Sequence, residues 1–139
     1  MDVKELIRQA MDARCNSYSP YSQYRVGAAL LCGDDTVFKG CNVENASYPA
    51  GVCAERVAVG NAVSAGRCDI RAIAIVGGKK EEEDTFSDYA WPCGICRQVL
   101  REFADPASFR VIVARSVEDY KEFTLDELLP ESFGPDNLN

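Results

Sequence analysis

Two short segments of this chain carry residue types suited to metal chemistry: Cys53-Ala54-Glu55 and Pro92-Cys93-Gly94-Ile95-Cys96, in a sequence that contains no histidine. Zinc takes thiolate ligands readily, and a set of three leaves one tetrahedral position open for water, whereas a structural site is closed by a fourth protein ligand. Cys93 and Cys96 stand three apart, on one helical face, so both sulfurs can reach one ion; Cys53 must arrive from another element. Glu55, two positions from Cys53, is the candidate proton carrier. It can take a proton from metal-bound water, hand it to a substrate nitrogen and later help protonate the leaving group. Three thiolates and Zn²⁺ sum to one negative charge, which weakens the metal as a Lewis acid, so positive neighbours are expected. Arg56 and Arg97 each directly follow a ligand-bearing segment and are the nearest candidates to donate hydrogen bonds to the sulfurs.

Each part has a plainer reading. An isolated CxxC is equally a redox pair or half of a structural zinc site. A lone Cys53 is a core thiol and a lone Glu55 a solvated helix charge. A noncatalytic, zinc-stabilised binding module would need a fourth thiolate from Cys15, Cys32, Cys41 or Cys68.

Helices and strands must position these groups. Leu6, Ile7, Ala10, Met11 and Cys15 recur at helical spacing, which predicts an amphipathic helix from Val3 to about Arg14. Val26 to Cys32 is an apolar, β-rich run, Gly33-Asp34-Asp35 a turn, and Thr36 to Cys41 the returning arm of a hairpin. Asn42 to Gly51 reads as a polar loop. Cys53 to Ala65 has helical composition, with a small-residue face of Ala54, Ala58, Ala62 and Ala65, and Gly66 as its stop. Arg71 to Val76 is a buried strand, Gly77 to Ala90 a charged loop, Cys93 to about Phe103 a helix, and Phe109 to Ala114 another buried strand. Thr124 and Glu127 have capping-box spacing for a short last helix through Leu129, and Pro130 to Asn139 is a tail. Both cysteine segments therefore fall at helix N-termini, where free N–H groups and the positive dipole end favour thiolate. The alternation predicts an α/β fold in one domain.

Composition narrows the setting. Apolar residues make up 47% and charged residues 27%, the balance of a globular chain, and no apolar run is long enough to span a bilayer. The first residues lack a basic region followed by an apolar stretch, so a cytoplasmic location is expected, where the seven cysteines would stay reduced. A net charge of −7 and the run Glu81-Glu82-Glu83-Asp84 disfavour nucleic acid as a partner and favour a small ligand.

At these residues the chain resembles the small, homotetrameric cytidine deaminases over nearly its whole length. The resemblance rests on Val26-Gly27-Ala28-Ala29-Leu30, Gly40-Cys41-Asn42-Val43-Glu44-Asn45-Ala46, Cys53-Ala54-Glu55-Arg56, Pro92-Cys93-Gly94 with Cys96-Arg97-Gln98, Leu128-Leu129-Pro130 and Phe133-Gly134-Pro135. It implies a three-layer α/β/α fold with a mixed central sheet and one zinc ion per subunit. The implied reaction converts cytidine and 2′-deoxycytidine to uridine and 2′-deoxyuridine in pyrimidine salvage: zinc-activated water attacks C4 of cytosine while Glu55 protonates N3. By the same resemblance, Asn42 and Glu44 hydrogen-bond ribose hydroxyls, and backbone groups near Ala54 and from Trp91 to Pro92 orient the pyrimidine. Tyr24 stands where the family usually has a phenylalanine beside the nucleoside, and Phe133 where a side chain reaches a neighbouring subunit's pocket. The chain departs from the family in its long acidic 77–91 segment and in Trp91, which replaces the small residue or proline common before Pro-Cys-Gly. Blasticidin S or another cytosine-bearing compound is the alternative substrate.

Overall fold

Strands buried on both faces read as continuous apolar runs, and the central three strands do so here. The structure, a computed structural model, describes residues 1–138, so the last residue of the expected tail, 139, lies outside it. Five strands form one mixed sheet: β1 (Tyr24–Cys32), β2 (Val37–Cys41), β3 (Ile70–Lys79), β4 (Arg110–Ala114) and β5 (Tyr120–Thr124). Their order is β2-β1-β3-β4-β5. β1 runs antiparallel to β2 and β3, β3 parallel to β4, and β4 antiparallel to β5.

The two-residue period of β1 sends its side chains into separate cores. Ala28, Leu30 and Cys32 pack with helices α2 (Ala54–Ser64) and α3 (Gly94–Phe103) on one face. Ala29 and Leu31 pack with Leu6, Ile7 and Ala10 of α1 (Val3–Arg14) on the other. The result is three layers, α/β/α. Asp2 caps α1 by accepting from the Lys4 N–H, and the expected capping box of Thr124 and Glu127 starts the short α4 (Leu125–Leu128).

The small face of α2 explains its placement. Ala54, Ala58 and Ala62 are fully buried, and Gly40 of β2 meets them so closely that a Cβ there would lie 2.5 Å from the Ala54 carbonyl oxygen. No side chain intervenes, so the N-terminal turn of α2 is pressed onto the hairpin.

The strand ends and the last strand of the sheet differ from the sequence reading. β1 begins at Tyr24 and β3 continues to Lys79, because Gly77 and Gly78, read as loop, pair with Val26 and Arg25. β5 was not expected; its sequence, Tyr-Lys-Glu-Phe-Thr, is that of an exposed edge strand guarded by charge. The tail is tied down at Arg101, which donates to the Ser132 hydroxyl and pairs with Asp136 at 2.9 Å.

Candidate active site

Cys53 and Cys93 occupy the N-cap positions of α2 and α3, and neither side chain caps its helix. An N-cap side chain ordinarily accepts a hydrogen bond from the first turn, an arrangement worth about 1 kcal/mol. Here both sulfurs instead meet Cys96, in the first turn of α3, and the three Sγ atoms all lie within 4.8 Å of one another. Cys93 and Cys96 are 3.5 Å apart. A tetrahedral ion with Zn–S bonds of about 2.3 Å needs S···S edges of about 3.8 Å, so small side-chain adjustments suffice to admit one.

The thiols already share charge. The Cys53 pKa is drawn down to about 5 by hydrogen bonding with Cys96 and by the neighbouring Arg56. The same contact and burial push Cys96 up, so the cluster holds its protons jointly, as expected of strongly interacting sites. A dication would displace those protons. Cys96 is buried, Cys53 half-buried and Cys93 exposed, so the cluster opens on one side. Cys15, Cys32, Cys41 and Cys68 lie outside it, so among the described residues the cluster offers three sulfurs and no fourth. The closed, structural-site reading loses its support.

The open side faces a cleft of about 900 Å³ whose lining includes Cys53, Ala54, Glu55 and Cys93. Glu55 is only 4% exposed. Burial, with the Cys53 thiolate adding to it, pushes its carboxyl up to about 7, a range suited to giving and taking protons; a dication beside it would pull that value back down.

The sequence and the fold recur in proteins of known kind. Residues 1–113 match the family described as the cytidine and deoxycytidylate deaminase zinc-binding region. The chain belongs to the cytidine deaminase family. It is 44% identical to a cytidine deaminase of Halalkalibacterium halodurans, over 100% of this chain and 99% of that one. A cytidine deaminase of Sporosarcina psychrophila is 42% identical, over 100% and 96%. Among solved structures, the cytidine deaminase from Burkholderia pseudomallei superposes with a TM-score of 0.85 at 41% identity, over 96% of this chain and 100% of that one. The Mycobacterium tuberculosis enzyme gives 0.78 at 36% identity, over 96% and 98%.

The cytidine deaminase motifs do not all meet in one place. Tyr24, Asn42, Glu44 and Ala54 line the cleft with the cysteines. Asn42 is held by its own neighbours: its Oδ1 accepts from the Val26 N–H at 2.9 Å and from the Ser17 hydroxyl, while Nδ2 donates to the Tyr24 carbonyl at 2.9 Å. The other amide N–H has no partner among the described residues. Glu44 accepts from the N–H groups of Tyr21 and Ser22 and from the Ser22 hydroxyl, which hold its carboxylate ionised. Ser17 and Ser22 were missed by the sequence reading, although polar turn residues around Pro20 are where such supports arise. Phe133 is 57% exposed and does not line this cleft.

The arginines divide. Arg56 donates from Nη2 to the Cys53 sulfur at 3.6 Å, as its position suggested. Arg97 does not reach sulfur: Nε donates to the Pro92 carbonyl at 2.8 Å and Nη1 to the Leu128 carbonyl at 2.7 Å. Helical side chains lean toward their own N-terminus, and for Arg97 that direction leads to the backbone just before the Cys93 cap. These bonds tie the backbone just before Cys93 to the end of α4.

Trp91 also lines the cleft, 44% exposed, with its ring 5.7 Å from that of Phe123 and 6.0 Å from that of Tyr89. Lys121 lies over both the Tyr89 and Trp91 rings. The acidic segment before it is firmly tied. Glu82 accepts from the N–H groups of Lys79 and Ser87, and Phe86 exchanges hydrogen bonds with Arg115.

Proposed function

We propose that residues 1–139 form one catalytic domain that hydrolytically deaminates cytidine and 2′-deoxycytidine, giving uridine or 2′-deoxyuridine and ammonia. Cys53, Cys93 and Cys96 would hold one zinc ion per subunit, with Glu55 as the proton carrier. The observation that carries this reading is a three-sulfur cluster, open on one side, at the wall of a cleft large enough to admit a nucleoside and beside a buried carboxyl group. Zinc bound there supplies a water acidified enough to act as nucleophile near neutral pH.

The protein's own residues do the rest. Glu55 takes a proton from the water, delivers it to N3 of the cytosine and assists the departing amine at C4. Helix N-terminal N–H groups and Arg56 offset the excess negative charge of the sulfurs. Glu44, kept ionised by its serine and backbone donors, accepts from ribose hydroxyls. The spare Asn42 N–H donates to a ribose oxygen. Tyr24 packs beside the nucleoside. Phe133, exposed and outside the lining of this cleft, would complete a neighbouring subunit's site in a homotetramer. No described helix is long and apolar enough to cross a membrane, and we place the enzyme in the cytoplasm.

An ultraviolet assay of zinc-loaded protein across cytidine, deoxycytidine, cytosine, blasticidin S and adenosine tests the reading. Turnover of the two cytosine nucleosides with ammonia release is expected. Preference for blasticidin S over both would overturn the substrate assignment, and no cytosine nucleoside turned over would overturn the function.

A further inference from the structure

One buried charge plays no part in the chemistry above. Arg14, the last residue of α1, is 5% exposed and its guanidinium has no ion-pair partner among the described residues. Its donors go to backbone carbonyls instead: Nε to Arg25 at 3.1 Å, and Nη2 to Gly78 at 3.0 Å and Lys79 at 2.5 Å. The guanidinium lies 4.6 Å from the centroid of the buried Phe86 ring. A cation buried this way is expensive unless its donors are satisfied, and here carbonyls on two strands take three of the five guanidinium N–H groups while the Phe86 ring lies against it.

Those carbonyls sit at the open end of the β1–β3 ladder, where Tyr24 pairs with Lys79, Arg25 with Gly78 and Val26 with Gly77. Tyr24 and Val26 line the cleft. The chain leaving β3 passes Phe86 and returns to the same cleft at Tyr89, Ala90 and Trp91. Both walls meet over Gly77: a Cβ built there would lie 2.7 Å from the Ala90 Cβ, and 3.0 and 3.2 Å from Cε1 and the hydroxyl of Tyr24.

We propose that Arg14 is a positioning residue for the nucleoside pocket, a buried cation that clasps the ends of β1 and β3 and seats Phe86. Tyr24 and the Tyr89–Trp91 wall are thereby held at a fixed separation. Arg14 acts through them and does not itself line the cleft. The assignment rests on the cytidine reading of that cleft.

Lysine cannot replace it, because one compact ammonium cannot bridge both strands and lie flat on the ring. For Arg14→Lys we expect folded protein with one zinc per chain, a KM for cytidine raised at least about fivefold and a kcat within about twofold of wild type. Phe86→Leu should move KM the same way. Because part of the Arg14 effect runs through Tyr24, the Arg14→Lys/Tyr24→Ala double variant should have a KM below the product of the two single effects. An unchanged KM in Arg14→Lys, or KM effects that multiply in the double variant, would overturn the proposal. So would a parallel fall of kcat, zinc content and folded fraction, which marks a purely structural role. If Arg14→Lys does not fold, Phe86→Leu decides by the same KM criterion. If zinc-loaded wild type turns over no cytosine nucleoside, the functional reading fails on its own. Amide exchange at Tyr24 and Ala90 then decides: faster exchange in Arg14→Lys supports the clasp, and unchanged protection overturns it.

Discussion

Replacing Gly40 by alanine should damage the metal site without touching a ligand. The added Cβ would lie 2.5 Å from both the Ala54 carbonyl oxygen and the Ala58 nitrogen, and 3.1 Å from the Ala58 Cα, all of them backbone atoms that cannot rotate away. Ordinary contact begins near 3.4 Å, so α2 must retreat by about 0.9 Å at its N-terminal turn. That turn carries Cys53 and Glu55, while Cys93 and Cys96 stay with α3, so the retreat opens the cluster. Overpacking of this kind costs about 1–3 kcal/mol, and a shift near 1 Å at a reacting group can cost about 10²-fold in rate. Gly60, in the same helix with nothing within 4 Å of its Cβ position, is the control. Gly60→Ala should gain about 0.5–1 kcal/mol from helix propensity. Both substitutions restrict the unfolded chain alike, so the gap between them, about 1–3 kcal/mol, isolates the close approach. Urea unfolding of the metal-free proteins measures the gap, competition against a chromophoric chelator measures zinc affinity, and cytidine turnover measures the site. Equal urea midpoints for the two variants, with wild-type zinc affinity and turnover in Gly40→Ala, would refute the reasoning.

Glu55→Gln should keep the fold and the zinc while turnover falls at least about 10²-fold, the lower end for acid–base catalysis; near-normal turnover would remove Glu55 from the mechanism. Cys53→Ser should lower bound zinc sharply in a metal assay, whereas serine at Cys15, Cys32, Cys41 or Cys68 should leave one zinc per chain; loss of zinc from any of those four would mean a closed site. Asp69 is held down to about 2 by hydrogen bonds from Arg67, so it favours the folded state above its ordinary value of 3.8 and loses that contribution as pH falls toward 2. The difference in urea midpoint between wild type and Asp69→Asn should therefore be constant near neutrality and shrink below about pH 4; a difference that grew with acid would be opposite in sign to this account.

How much of this was legible in sequence depended on whether the signal was local. Helix α1, the β1–β2 hairpin and the Thr124–Glu127 capping box were readable because periodicity and cap spacing are properties of neighbouring residues. The pairing of Gly77 and Gly78 into β3 was not, because nothing in a Gly-Gly pair shows that another strand lies opposite. β5 was hidden by its own protection, since a charged edge strand looks like loop. The three cysteines and Glu55 were legible because metal chemistry requires those residue types, and they converge as their spacing implied. The direction of Arg97 was not: following a ligand in sequence does not decide whether a long side chain turns to sulfur or to a nearer carbonyl.

The departures from ordinary folding rules collect at one place, and a metal ion accounts for them together. Two helices give up their N-cap hydrogen bonds to cysteine, at about 1 kcal/mol each. A carboxyl group is 4% exposed with its pKa raised mainly by burial. The Arg56 Nε is buried without a hydrogen-bond partner among the described residues. Each alone is a loss of stability, and structural zinc sites return more than that on binding, on the order of 10 kcal/mol. The sacrifices also point one way: both helix N-termini, a guanidinium and a proton-bearing carboxyl group favour negative charge at the sulfurs and proton exchange beside them. A site shaped only to hold the fold together would be expected to spend a fourth cysteine on the metal. The four remaining cysteines lie outside the cluster, and the direction left open faces the cleft.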